Sequence, residues 1–286
     1  MDGLKALTAG RGFVELPAWR TVEVAGADAF GWLNDLVSAD LADLAPGQAR
    51  RSLLLSPTGR IRAAFTVAAR ERSFLLLQDP IQPAGVERLL APYVLSSDVT
   101  VEDRTGRLLV FALPGIDVAP EAPGADPSTP SCVGPGADLI ASAAERERVR
   151  EALSQGFART TEDDLEAWRV AAGVPRFGVD ATEDDLPQEA GLAGAVSFGK
   201  GCYLGQEAVA KVRNLGHPRR VLFHAEANAP VASGDAVVVD GRDAGRVTSA
   251  ATANGRTLAF AQVRWDAREG PFTTPAGVNL RTVDPR

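Results

Sequence analysis

The chain has 286 residues, 45% of them hydrophobic and 23% charged, with a net charge of −7. That acidity argues against phosphate-backbone binding as the main activity, and the length suffices for about two domains whose core needs no disulfide or metal. Two cysteines 70 positions apart exclude a disulfide framework, and two cysteines with two histidines cannot supply the four thiolates of an iron–sulfur cluster.

The opening Met1-Asp2-Gly3-Leu4-Lys5-Ala6-Leu7-Thr8 lacks the apolar core of a secretory signal. No apolar run approaches the ~20 residues that span a bilayer. A cytoplasmic location, with neither membrane nor direct nucleic acid as partner, is expected. Val22-Glu23-Val24 predicts a strand. Asp28 is placed to cap a helix with Phe30, Leu33 and Val37 on one apolar face. A meander follows over 51–56, 61–69 and 74–78, turning at Pro57-Thr58-Gly59 and Glu71-Arg72. A helix is expected around 83–91, then strands near 99–102 and 108–112 joined through Thr105-Gly106.

Residues 117–138 hold most of the prolines and glycines that mark a long surface loop, and Cys132 inside it reads as incidental. A charged helix is expected over 141–155. Thr161 with Asp164 forms a capping box that opens a helix through Leu165, Trp168 and Ala172, ended by Gly173 and Pro175. Beyond residue 220, short strands over 221–225, 236–240, 246–250 and 258–265 turn at Asp240-Gly241 and Asn254-Gly255. They predict a small β-barrel.

Two stretches carry candidate chemistry. In Gly199-Lys200-Gly201-Cys202-Tyr203-Leu204-Gly205-Gln206-Glu207 a cysteine stands just ahead of helix-forming sequence, with a lysine two residues before it. A helix N-terminus and a nearby ammonium both favour thiolate over thiol, so Cys202 and Lys200 are the candidate reactive pair. Flanking glycines suit a tightly packed turn equally well. In Asp184-Asp185-Leu186-Pro187-Gln188-Glu189-Ala190-Gly191-Leu192, Glu189 sits in a segment too broken for a regular helix. A rigid carboxylate there can accept two parallel N–H bonds from a flat heterocycle; the alternative is a solvated acidic loop. Lys211, Arg213, Arg219 and Arg220 form the densest basic cluster, suited to a ligand's acidic tail or simply to a helix C-terminus. His217 and His224 lack metal spacing, so no metal site is expected.

Together these stretches and 168–178, with the hairpin at 53–61, resemble the YgfZ-type folate-binding proteins, relatives of the glycine-cleavage aminomethyltransferase (T-protein). The Lys-Gly-Cys-Tyr-x-Gly-Gln-Glu run is the specific part. The resemblance implies an α+β, T-protein-like folate-binding body with ferredoxin-like and meander subdomains and a small C-terminal β-barrel. The expected division is 1–48 plus 139–218 as the folate-binding domain, 49–116 as the meander, 117–138 as loop and 219–286 as barrel. The resemblance also implies tetrahydrofolate or a derivative as cofactor, and a role in assembly or repair of iron–sulfur clusters in client enzymes, including tRNA-modifying ones. Glu189 would hold the pterin and Cys202 would act. Tyr203, Gln206, Glu207 and Arg213 would line the site, and Lys200 would assist the thiol. The transferase carries an aspartate after the Gly59 turn where this chain has Ala63 or Ala64, and a methyl group can neither accept a proton nor stabilise charge. An active aminomethyltransferase and a folate sensor or scaffold are the alternatives.

Overall fold

A computed structural model describes residues 2–253 and 255–283. In chain order the first elements are α1 (Gly3–Thr8), β1 (Gly12–Leu16), β2 (Arg20–Ala25), α2 (Ala29–Leu36), β3 (Ala49–Leu55), β4 (Ile61–Ala69) and β5 (Ser73–Gln78). They continue through α3 (Val86–Leu90), β6 (Thr100–Asp103), β7 (Leu108–Pro114), β8 (Ala125–Ser128), β9 (Gly136–Ser142), α4 (Arg146–Ser154), β10 (Ala158–Arg159) and α5 (Glu162–Ala171). After α6 (Gln206–Leu215) come β11 (Arg220–Ala227), β12 (Ala236–Val239), β13 (Arg242–Ala253), β14 (Arg256–Arg264), β15 (Phe272–Thr273) and β16 (Asn279–Thr282).

The strands form two five-stranded sheets, β10-β1-β7-β9-β8 and β3-β4-β5-β2-β6, and a closed barrel, β11-β14-β13-β12-β15-β16. Strand alternation explains how the sheets stack. On β1, Val14 and Leu16 join Val110 and Ile140 in a core shared with Ala68, Leu75 and Leu77 of the second sheet. Phe13 points the other way, with Phe111, to meet Val149 and Leu153 of α4. On the second sheet Val22, Val24 and Val67 turn outward under Leu33 of α2 and Val86 and Leu90 of α3. The body is therefore helix, sheet, sheet, helix, two layers buried face to face and antiparallel except where β10 runs parallel to β1. No described helix is long and apolar enough to cross a membrane.

Pairing cuts across the boundaries expected from sequence. β2 lies in the meander sheet, and β7 lies with β1 and β9 although it follows β6 directly. Residues 117–138 are not a free loop: β8 pairs with β9, and Ser131, Cys132 and Val133 are buried. The cause is Asp138, whose buried carboxylate accepts Ser131 Oγ–H at 2.5 Å and Cys132 N–H at 2.7 Å, folding the segment back on itself. Three local readings change as well. Phe30 is 46% exposed, and Asp28 caps nothing because its carboxylate accepts Asp98 N–H across the sheet. Ala141 belongs to β9, and the helix begins only at Arg146. The Thr161–Asp164 capping box forms as expected. Of the two expected barrel turns, Asp240-Gly241 has both residues at positive φ, as a tight hairpin requires. Asn254 lies outside the described residues.

The acidic stretch 180–189 joins barrel to body. Asp180 is fully buried; its Oδ2 takes Arg169 Nη1 at 2.6 Å and Arg176 N–H at 2.9 Å. Its Oδ1 accepts the hydroxyls of Thr248 and Ser249 on β13 at 2.7 and 2.6 Å. Asp185 Oδ2 accepts Thr182 N–H, and its Oδ1 accepts Gln262 Nε2–H of β14 at 3.1 Å. Glu189 accepts Leu186 N–H at 3.0 Å and Arg219 N–H, at the entry to β11, at 2.7 Å. Three carboxylates thus clasp three places on the barrel, each satisfied by donors, which is the condition for burying a charge. We expect Asp180→Ala to cost about 3–5 kcal/mol of unfolding free energy in urea titration, because it leaves one arm of the buried Arg169, the Arg176 N–H and two β13 hydroxyls without their acceptor. A cost below about 1 kcal/mol would contradict the clasp.

Candidate functional site

A cleft opens where β4 and β5 meet α5 and the returning segments at 132–133 and 174–177; its empty volume, mouth included, is about 680 Å³. Trp19, Leu77, Val133, Leu165, Val174 and Phe177 make its apolar wall. Charged walls come from β3 (Arg51), the β5 end (Asp79), α5 (Glu166, Arg169 and the exposed Glu162) and Arg176. Such a lining, largely apolar with a few converging polar groups, is the form small-ligand sites take.

The charges form one chain. Arg176 grips Asp79 in a two-point fork, Nε to Oδ2 at 2.6 Å and Nη2 to Oδ1 at 3.0 Å, and reaches Glu166 Oε2 at 3.0 Å. Arg169 holds Glu166 through Nε at 2.8 Å and through Nη2, then passes on to Asp180. Burial would raise Glu166, but Arg169 and Arg176 hold its carboxyl below the ordinary range. Neither Asp79 nor Glu166 is therefore a free base. Arg51 differs: among the described residues its one hydrogen bond runs from Nη2 to Pro175 O at 2.9 Å, with no carboxylate partner. Burial pushes its guanidinium down, with Cys132 and Asp79 acting the other way. An arginine stays protonated in either case, so Arg51 presents an unpaired fork of donors to the cleft.

Gln82 fixes the strand beside it. Its Oε1 accepts Ala64 N–H at 3.0 Å and its Nε2 donates to Ala64 O at 2.6 Å, replacing the sheet partner that β5 supplies only from Phe65 onward. Ala64 lines the cleft, whereas Ala63 packs in the outer core under α2. Of the two positions where the resemblance places the transferase's aspartate, Ala64 is the one facing the cleft, and it offers a methyl group.

None of Cys202, Lys200, Glu189, Tyr203, Gln206, Glu207 or Arg213 lines this cleft. Glu189 is fully buried with both oxygens taken by backbone N–H groups, so it is neither a solvated loop residue nor a free grip for a ring. Lys200 does not serve the thiol: its ammonium donates to the carbonyls of Asn34, Val37 and Ala39 at 2.5 to 2.8 Å, capping the C-terminal end of α2. Burial pushes that ammonium down to about 8, against the pull of Asp40 and Asp35. Tyr203 is buried beneath it, its ring 4.9 Å from Lys200 Nζ. Its hydroxyl has no partner among the described residues. Gln206 and Glu207 open α6, and Arg213 lies over the Phe198 ring at 4.1 Å. Cys202 is exposed. The loop carrying it is seated by two glycines. Gly205 has φ +81, and a Cβ there would come within 2.4 Å of Ser56 O; one on Gly59 would meet Ala208 Cβ at 2.9 Å. The 56–59 turn and the start of α6 approach too closely for any other residue.

The cysteine in the cleft is the one the sequence reading set aside. Cys132 is buried against Asp138, and burial, with the Asp138 charge adding to it, pushes its thiol well up. The missed site residues carried one legible signal: arginine at an inward position of the apolar strand Ala49–Leu55. Arg169 and Arg176 lay in the 168–178 stretch that carries the resemblance, but nothing local marked them or Asp79 and Glu166 as a site, since only the fold brings them together.

Two variants test this geometry. Burial pushes Asp138 up to about 6 from the usual 3.8, so the folded state holds its proton over a range where the unfolded chain has lost it. The stability it contributes is present at low pH and lost as pH rises through about 6, an effect on the order of 3 kcal/mol. Urea midpoints between pH 4 and 7 should show that slope in the wild type and not in Asp138→Asn; equal slopes would contradict it. Lys200→Met should cost about 1–3 kcal/mol in the same assay by leaving three carbonyls unmet. Lys200→Arg should fail to restore stability, because a planar fork cannot converge on them.

Residues 3–119 match the family model of the GCVT N-terminal domain. The tRNA-modifying protein YgfZ of Enterobacter sp. (strain 638) is 26% identical, over 76% of this chain and 72% of its own length. The aminomethyltransferase of Streptomyces avermitilis is also 26% identical, over 96% of this chain and 84% of its own. Among solved structures, the glycine cleavage system aminomethyltransferase T from Bartonella henselae superposes with a TM-score of 0.83 at 19% identity. That superposition covers 99% of this chain and 88% of the other, and it establishes the shared fold. With a GCVT N-terminal domain match over 3–119 and YgfZ relatives along most of its length, the chain is similar to the YgfZ proteins and shares the fold of the T-protein.

Proposed function

We propose that the cleft binds tetrahydrofolate or a derivative without performing aminomethyl transfer. The carrying observation is the pairing pattern in the cleft: Asp79 and Glu166 are locked to arginines, Ala64 stands where a base would be needed, and Arg51 is the one cleft arginine with no carboxylate partner among the described residues. A flat, partly apolar ligand with an acceptor group matches that wall, the ring lying against Trp19 and Phe177 and the acceptor meeting Arg51. The ligand would supply the one-carbon-carrying ring. The protein's own groups bind, orient and exclude water.

The exposed Cys202 loop is the second half of the proposal. Resemblance in the Lys-Gly-Cys-Tyr run supports a thiol that meets a client protein, with assembly or repair of the client's iron–sulfur cluster as the task. A cytoplasmic setting accords with it, and the printed name of the YgfZ relatives accords with tRNA-modifying enzymes among the clients. In this reading Lys200 and Tyr203 position the loop.

Calorimetry should detect tetrahydrofolate binding to the wild type, and Arg51→Met should weaken it by about 10-fold or more, the worth of a hydrogen bond to a charged group. Cys202→Ala should fold and yet fail to complement loss of the protein in vivo. No folate binding, or turnover in aminomethyl transfer at the level of a true T-protein, would overturn the reading. Full complementation by Cys202→Ala would leave a folate sensor in its place.

A further inference from the structure

The geometry points to a second anion site at the edge of the first sheet, built to take the carboxylates of a folate's γ-glutamyl tail; this rests on the cleft holding the ring end. Its foundation is Glu15 on β1, whose side chain is 6% exposed and faces three guanidinium groups. Arg150 binds it through Nε at 2.7 Å and Nη2 at 3.0 Å, Arg146 through Nε at 3.0 Å, and Arg159 Nε lies 3.0 Å from Oε1. Burial would raise Glu15, but the three arginines hold it below the ordinary carboxylate range.

One buried carboxylate cannot balance three cations. Arg150 has a second partner in Glu147. Arg146 and Arg159 engage Glu15 only through Nε, and among the described residues their η nitrogens meet no acceptor. Both line a depression whose further walls are Pro17, Thr160, Thr161 and Glu162. Glu162 also lines the folate cleft, so the two concavities adjoin. A ligand whose flat end fills the cleft leaves it past the exposed, solvent-screened Glu162 and comes directly to two half-used guanidinium forks.

The chemistry of the tail fits that pair. Each γ-linked glutamate adds one α-carboxylate, and an arginine fork grips a carboxylate with two parallel bonds. Glu15 already fixes both side chains by their Nε atoms, so little rotamer freedom is lost when a ligand arrives. A longer tail should therefore bind tighter, and more so at low salt.

The test compares tetrahydrofolate carrying one glutamate with the form carrying five, by calorimetry on the wild type, Arg146→Gln, Arg159→Gln and, as a control on the same helix, Arg148→Gln. The pentaglutamate should bind the wild type and Arg148→Gln about 10-fold more tightly than the monoglutamate. In Arg146→Gln and Arg159→Gln that advantage should shrink below about 3-fold. Equal affinities in the wild type, or an advantage untouched by both substitutions, would overturn the tail site. A γ-linked pentaglutamate without the ring separates the two readings. If neither folate binds but this peptide does, in an Arg159-dependent way, the anion site stands and the folate reading falls; if nothing binds, both fall.

Discussion

Asp180 is the residue on which the remaining arrangement depends. One of its oxygens holds Arg169 and the backbone of Arg176, and the other holds two hydroxyls of β13. Through Arg169 it sets Glu166, and through the Arg176 backbone it sets the fork that neutralises Asp79. The joint between barrel and body and the electrostatics of the cleft are therefore one network. Buried ionic networks of this kind do more for specificity than for net stability, because desolvation opposes the Coulomb gain. Here the specificity lies in which cleft groups are left without a partner.

That pattern limits which cleft groups could move a proton. Proton transfer needs a carboxylate within reach of the ligand whose charge is not already held. Asp79 and Glu166 are held, the third cleft carboxylate, Glu162, faces solvent at the rim, and Ala64 contributes a methyl group on a strand fixed by Gln82. Beside them stand an apolar wall and the guanidinium of Arg51, which has no carboxylate partner among the described residues. The thiol is elsewhere, on a loop pinned from below by Lys200 and held close by Gly59 and Gly205. The cleft and Cys202 are separate places, linked by the core that joins Phe177 and Ala64 to Tyr203 and Val209.

Much of the fold was legible in local signals. The meander, the capping box at Thr161 and the barrel strands follow from alternation, turn residues and caps, and each of those acts within a few residues. What escaped was set at long range. Residues 117–138 read as loop because proline and glycine weaken every local preference, yet one buried carboxylate at Asp138 orders them. Glu189 was read for its chemistry, as a grip or a solvated charge, and its environment is two backbone N–H groups, one supplied by the barrel thirty positions on. Lys200 looked like an activator of its neighbour in sequence; three carbonyls at the end of α2 claim it first. Sequence neighbours advertise proximity, whereas the donors and acceptors of a distant element decide where a charge settles.

The most direct test of this division is hydrogen exchange with and without tetrahydrofolate. The account predicts slower exchange at the cleft segments around 64–66, 132–133 and 174–177, with the Cys202 loop at 199–205 unchanged. Protection confined to 186–207 with the cleft unaffected would contradict it, and would return the ligand to Glu189 and Cys202.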